Sequence, residues 1–511
     1  MGGPLLINDV ENTVVARRQS RLAAAIVGLM GVGALFPWNA FITPLNFYQL
    51  LFHGTPYDTS ITSILSATFT GIGLIAITVL QGLQHSFTIR TRIIFAIALE
   101  LIVFAAIAVA TAVLLLFSDH TLAVVVLDHS SLTFALLMVC VSLAAVAQAV
   151  LTGSVVSYAS ILGDDSLKTV STGMGIAGLL VSSASLLTEL PHALRDSSEA
   201  TTTKHDVLTS ALCYFSASVV VLLVCLAGFL RLERMDFVRL CKLGAIAGSL
   251  GTSTVSDRLD VEASTTPASH MGLQSAEAHS CKAADVTVYS QRVSIREFPT
   301  QMTVSTELTD ASNEVLSMPI PKQRGAGRRT LQLLVQLWQW ALALVLCYSI
   351  TIGLFPALTG MLATSSHNSA WEELYVPFLF VVFNLGDVIG RNSPACVMLD
   401  DPGLVLLVAI LRIIFIPLFI FSHMGQGLSI LSPWFESDTL TVLIVLVFAV
   451  SNGWLTTNVF LRAPVNVVAE DGAAAGTLMA GCLNAGLTIG ALLSFLFHWL
   501  VCQCNPFVDS D

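Results

Sequence analysis

Charge is scarce in this chain: Asp, Glu, Lys and Arg together supply 11% of 511 residues, where an ordinary soluble domain carries about 25%. With 55% hydrophobic residues beside it, that scarcity excludes a water-soluble core under a charged surface. Paired cysteines are also missing. The ten cysteines fall mostly inside apolar runs or in one polar stretch, a distribution that excludes a disulfide scaffold and a zinc site. Cys502 and Cys504 do form a C-x-C at the tail, but a terminal pair of this kind is usually incidental. No N-x-Ser/Thr sequon occurs, so N-glycosylation is not expected. Neither a phosphate-binding G-x-x-x-x-G-K loop nor a G-x-S-x-G, H-E-x-x-H or Cys/His ligand array is present, so ATP-driven pumping by this chain and membrane hydrolysis find no support. No cofactor is expected.

What the chain does contain is long apolar runs. Ile93 to Phe117 and Leu132 to Leu151 reach the roughly 20 residues needed to cross about 30 Å of hydrocarbon. Such runs predict eleven spans near 22–46, 60–82, 92–117, 131–153, 168–188, 207–231, 331–358, 373–396, 403–424, 439–461 and 473–500. The fold class is therefore an all-α integral membrane protein whose partner is the lipid bilayer. Its net charge of −11 argues against nucleic acid, though in a membrane protein placement outweighs the sum. Arg17, Arg18 and Arg21 precede the first run without a cleavage site, marking a retained anchor behind an N-terminal tail, 1–21. With that tail in the cytoplasm, only Arg195 and Lys204 of 23 Lys and Arg fall in outer loops, as the positive-inside rule requires. Asp58, Asp119, Asp128, Asp196, Glu199, Glu436 and Asp438 collect outside, and the tail 501–511 is extracytosolic. Residues 232–330 are polar and aperiodic and are expected to form a disordered cytoplasmic loop. That loop divides the spans into bundles of six (22–231) and five (331–500), the arrangement of a transporter that rocks about a central site. Small residues in the fourth, fifth and eleventh spans point to close packing in the interior.

Most spans lack ionisable groups, which singles out the eighth. There Asn384, Asp387 and Arg391 stand at i, i+3 and i+7 and form one polar stripe, with Asp387 and Arg391 as an i, i+4 pair. A charge at mid-membrane costs about 2.5 to 3.5 kcal/mol on insertion scales. The stripe therefore faces protein or a cavity, either as a substrate site or as a pair that only pins helices. In the first span, Pro37 and Pro44 free backbone carbonyls and are expected to bend or break the helix. Beside them, Trp38 offers a face for stacking or serves as an interfacial anchor. Gln148, alone in the fourth span, has an amide suited to a base edge or to joining helices. Arg412 is placed at the opening of the ninth span, where snorkelling or pairing with a helix end is expected. His498, late in the last span, is a weaker candidate for proton handling.

These residues resemble the motifs of the equilibrative nucleoside transporter family over nearly the whole membrane portion. Leu35-Phe36-Pro37-Trp38-Asn39 is similar to its first-span P-W-N signature, and Leu354-Phe355-Pro356-Ala357 to its seventh-span F-P-A. Asn384, Asp387, Gly390 and Arg391 match its eighth span, Arg412 to Phe419 its ninth, Ser451-Asn452-Gly453 with Ala463-Pro464 its tenth, and Ala475-Gly476 through Phe495 its eleventh. The resemblance implies a major-facilitator-like, six-plus-five fold that moves a purine or pyrimidine nucleoside by alternating access. It implies that Asp387 accepts from ribose hydroxyls, that Arg391 holds Asp387 and contacts the substrate, and that Gln148 meets the base edge. Trp38, Leu35 and Ile42 then line the base side or the outer constriction, with Phe380 and Asn384 opposite. Met174 stands where many relatives place glutamine, which leaves base preference open. Proton symport through Asp387 is the alternative within this class, although Arg391 favours the ionised carboxylate. A non-transporting sensor is the alternative outside it. The plasma membrane is the expected location, with endosomal or vacuolar membrane as the other choices.

Overall fold

A computed structural model describes residues 3–53, 55, 61–83, 86–116, 130–193, 204–239, 241–242, 326–425, 431–468 and 471–502. Among them are eleven helical spans long and apolar enough to cross a membrane. The helices that form them are α1 (Gly3–Ile42), α2 (Ile61–Leu83), α3 (Ile89–Leu116), α4 (Ser130–Leu162), α5 (Asp164–Ala193) and α6 (Lys204–Leu232), then α7 (Trp338–Leu354), α8 (Ser369–Asn392), the interrupted α9 (Pro402–Ile420), α10 (Asp438–Arg462) and α11 (Gly472–Cys502). Helix is the only element that satisfies every backbone group within one apolar segment, so the composition leaves no other choice in lipid.

Helix starts follow side-chain chemistry. Asn368 accepts a hydrogen bond from the Trp371 N–H, Asp401 from Gly403 and Ser437 from Leu440, each at the N-cap of α8, α9 or α10. Between α4 and α5 the chain reverses on one residue, Gly163, whose φ of 104° lies in the left-handed region.

In the first bundle α1 lies along α5 and α6, and α3 along α4 and α6; in the second α8 lies on α10, and α7 on α11 and α9. Glycine sets these seams, because without a hydrophobic force between helices in lipid close backbone approach supplies the attraction. Gly31 sits against the Val170 backbone and Gly173 against Gly28 along α1 and α5, while Gly390 and Gly453 join α8 to α10. Across the bundles, α5 touches α8 and α10, and α11 touches α2 and α4.

Three expectations need correction. First, α1 runs unbroken through Pro37 to Ile42, and the expected break falls only at Pro44, ahead of a separate short helix, Leu45–Phe52. Its start at Gly3 makes the described part of the N-terminal tail, 3–21, helical, and no proline or glycine interrupts residues 5–27. Second, the interrupted span is α9, which passes through a 3-10 turn at Arg412–Ile414 before continuing as Phe415–Ile420. Third, the run 331–358 divides at Leu337 into an amphipathic helix, Ala326–Gln336, and α7.

The first residues of the long loop pack back on the protein: Phe237, Val238 and Cys241 are buried, and the Phe237 N–H donates to Gln19 Oε1 at 3.2 Å. The rest of the expected disordered loop, 243–325, and the tail from 503 lie outside the described residues.

Candidate functional site: a buried polar seam between the bundles

The stripe predicted on α8 is present and buried. Arg391 Nε donates to Asp387 Oδ2 at 2.6 Å, with 3% and 7% of the two side chains exposed. The second carboxylate oxygen is also occupied, since Asn452 Nδ2 on α10 donates to Asp387 Oδ1 at 2.7 Å. From there the guanidinium leaves its own bundle. Arg391 Nη1 donates to the Ser171 carbonyl at 3.1 Å and to Ser171 Oγ at 3.0 Å on α5, and Nη2 donates to Tyr348 Oη on α7 at 3.4 Å.

Glycine makes that approach feasible: a Cβ on Gly175 would stand 2.8 Å from Arg391 Cδ, and one on Gly178 would strike Asn384 Oδ1. Asn384 itself donates to the Phe380 carbonyl at 2.9 Å. Ser171 Oγ and Thr457 Oγ1 share a 2.6 Å hydrogen bond between α5 and α10. Buried charges in a low-dielectric setting require this degree of pairing.

Arg412 does not snorkel. It is 2% exposed, and Nη2 donates to Thr351 Oγ1 at 2.8 Å while Nη1 donates to the Phe448 carbonyl at 2.9 Å and to Ser451 Oγ. The reason is its position midway along the span Pro402–Ile420, far from either end. Thr351 Oγ1 in turn donates to Asn452 Oδ1 at 2.8 Å, so Arg412, Thr351, Asn452, Asp387 and Arg391 form one chain of contacts across four helices.

On the first bundle, Trp38 stacks on Phe69 of α2 with ring centroids 3.8 Å apart and planes inclined by 21°. Leu35 and Ile42, one turn to either side on α1, are half-buried, as is Phe380 on α8. Phe380 meets Phe355 at 4.9 Å between centroids. Gln148 is buried on α4. The structure thus brings Asn384, Asp387, Arg391 and Phe380 together. No hydrogen bond or ring contact among the described residues links Trp38, Leu35, Ile42 or Gln148 to them. Met174 is buried in a core cluster that draws on both bundles, and His498 is half-buried on α11.

Sequence reasoning gave no site role to Ser171, Tyr348 and Thr457 and named Asn452 only within a motif; all four are ordinary polar residues until their neighbours are known. It also passed over Glu100, buried in α3 with Oε2 unpartnered among the described residues; the signal, a lone carboxylate in an apolar run, was in plain view. No group of three or more potential metal ligands occurs among the described residues.

A family model described as nucleoside transporter matches residues 136–499, which include the whole α8 stripe, Ser171 and Asn452. The chain belongs to the equilibrative nucleoside transporter family. Human equilibrative nucleoside transporter 2 is 28% identical over 493 residues, covering 93% of this chain and 96% of its own. Human equilibrative nucleoside transporter 1 is 33% identical over 169 residues, 32% of this chain and 36% of its own. Among solved structures, the major facilitator superfamily proton:xylose symporter XylE superposes with a TM-score of 0.51 at 12% identity, over 93% of this transporter and 87% of that chain. This likeness concerns the fold, and it establishes the major-facilitator arrangement in which six helices and five face one another.

Proposed function

We propose that this transporter carries nucleosides across a membrane by facilitated alternating access, with the substrate held between the bundles beside Asp387. The observation that carries the reading is the guanidinium of Arg391, which belongs to the second bundle yet bonds to Ser171 of the first. A charged group placed on the seam between moving halves is suited to sense both the substrate and the closure of the path.

The distribution of contacts supports a rocking mechanism. Polar bonds between bundles, among the described residues, lie from mid-depth toward the end that carries the Gly163 turn. Ser157 Oγ donates to the Ala473 carbonyl at 2.8 Å and contacts Thr477 Oγ1, Ser171 pairs with Thr457, and Thr172 Oγ1 donates to Asn392 at 3.3 Å. Gln81 Nε2 and Thr488 Oγ1 complete the set on α2 and α11, with Thr488 donating to the Thr70 carbonyl at 2.9 Å. With the N-terminus inside, as the Lys and Arg distribution supports, this is a carrier closed toward the cytoplasm. The plasma membrane is the proposed location.

In the bound state a ribose hydroxyl takes the position of the Asn452 amide at Asp387 Oδ1, so the carboxylate exchanges one donor for another and is never left bare. Gln148 meets the base edge, Trp38 its face, and Leu35, Ile42 and Phe380 line the outer constriction with Asn384 opposite. Binding is weak, because a carrier must release what it captures. Uptake of labelled adenosine and uridine into transport-deficient cells tests the assignment. Saturable uptake that is lost in Asp387→Asn at equal surface level supports it, and normal uptake by that variant refutes the ribose site.

A further inference from the structure

The tryptophans of this chain differ in how their planes are held, and two of them are held by a hydrogen bond. The indole N–H of Trp371 donates to Asp438 at 3.4 Å and that of Trp454 to the Val397 carbonyl at 2.7 Å, so each of these rings is oriented by a directional bond. The Trp38 N–H has no hydrogen-bond partner among the described residues, and the ring is half-buried. Its orientation rests on packing, and the ring that stacks on it is Phe69, itself 6% exposed. Helix α1 holds the Trp38 backbone, and the two side-chain torsions of the indole are set by what lies against its faces.

We propose that Phe69 is a specificity-determining positioning residue, which stacks on one face of Trp38 and thereby presents the opposite face to the nucleobase. The inference rests on the reading above that Trp38 stacks on the base. An aromatic pair is worth about 0.5 to 1.5 kcal/mol beyond its buried area, and a side chain released into several rotamers must be reordered by the substrate at each binding event. Loss of the flat ring at position 69 therefore weakens apparent affinity without altering the rocking step. Purines suffer more than pyrimidines, because two fused rings overlap more of the indole than one.

The test measures KM and Vmax for adenosine and uridine in transport-deficient cells at matched surface level. It compares the unaltered chain with Phe69→Leu, Phe69→Tyr, Trp38→Leu and the Trp38→Leu/Phe69→Leu double variant. Expected is a KM raised about three- to tenfold by Phe69→Leu, more for adenosine than for uridine, with Vmax near that of the unaltered chain. Phe69→Tyr restores the original values. In the Trp38→Leu background Phe69→Leu adds nothing further, since its effect passes through the indole. If Phe69→Leu fails to reach the surface, Phe69→Met is read in its place. A KM raised by Trp38→Leu but untouched at position 69 overturns the proposal, as do additive losses in the double variant or a fall in Vmax alone. If Trp38→Leu leaves KM unchanged, the stacking role of Trp38 fails first and the proposal falls with it.

Discussion

At the scale of single residues, Asp387 and Arg391 form a pair that neither partner can leave cheaply. Removing one side of a buried ion pair strands the other charge, at about 3 to 5 kcal/mol. Asp387→Asn is therefore expected to lower the thermal midpoint of the detergent-solubilised protein and to abolish uptake. Adding Arg391→Met to it removes the stranded charge; this double variant should recover stability while uptake stays lost. Recovery of both would reduce the pair to a helix pin. Arg412 carries a different expectation, because its bonds reach Thr351, Phe448 and Ser451 within the second bundle. Arg412→Lys keeps the charge and loses the fork, so melting should fall while KM stays near its original value; a large KM shift with unchanged melting contradicts that. The eighth-span charges were legible because an ionisable group in an apolar run stands out. Arg412 was misread as an end residue although the expected bounds, 403–424, already put it mid-span, and Asn452 was unread as an Asp387 partner because only the fold reveals which helix faces which.

At the scale of elements, closure at the end that carries the Gly163 turn, the cytoplasmic one in the proposed orientation, includes two seams, α4 against α11 and α5 against α10. Both are held by hydroxyl pairs rather than ion pairs. Ser157 with Thr477 and Ser171 with Thr457 are separable at the modest net value of neutral hydrogen bonds, about 0.5 to 1.5 kcal/mol each, which suits a gate that opens in every cycle. Replacing both Ser157 and Thr477 by cysteine should allow an oxidant to cross-link the two helices and stop uptake, with a reducing agent restoring it. Uptake that continues in fully cross-linked protein would show that this seam does not open. The spans themselves were readable from apolar length alone, and their ends were less so. The continuity of α1 through Pro37 was hidden because a proline near a helix end reads as a break, whereas α1 tolerates it within a span packed against α5 and α6.

At the scale of the whole molecule, the fold is that of two bundles about a central seam, and selectivity should follow from what the seam must satisfy. A site built to bond ribose hydroxyls leaves its own buried groups unpaired when the sugar is absent, at about 1 to 3 kcal/mol per neutral group. Free nucleobases should therefore compete for uptake at least roughly tenfold less well than their nucleosides. Equal competition by adenine and adenosine, or by uracil and uridine, would place this chain in a nucleobase-preferring branch. The central claim, facilitated exchange of nucleoside between two sides, is tested most directly with the purified protein in liposomes of equal internal and external pH. Labelled uridine or adenosine should enter saturably, equilibrate without accumulating, and enter faster when unlabelled nucleoside is preloaded inside. Entry no greater than in protein-free liposomes would contradict the account, and so would accumulation above the external concentration when a proton gradient is imposed.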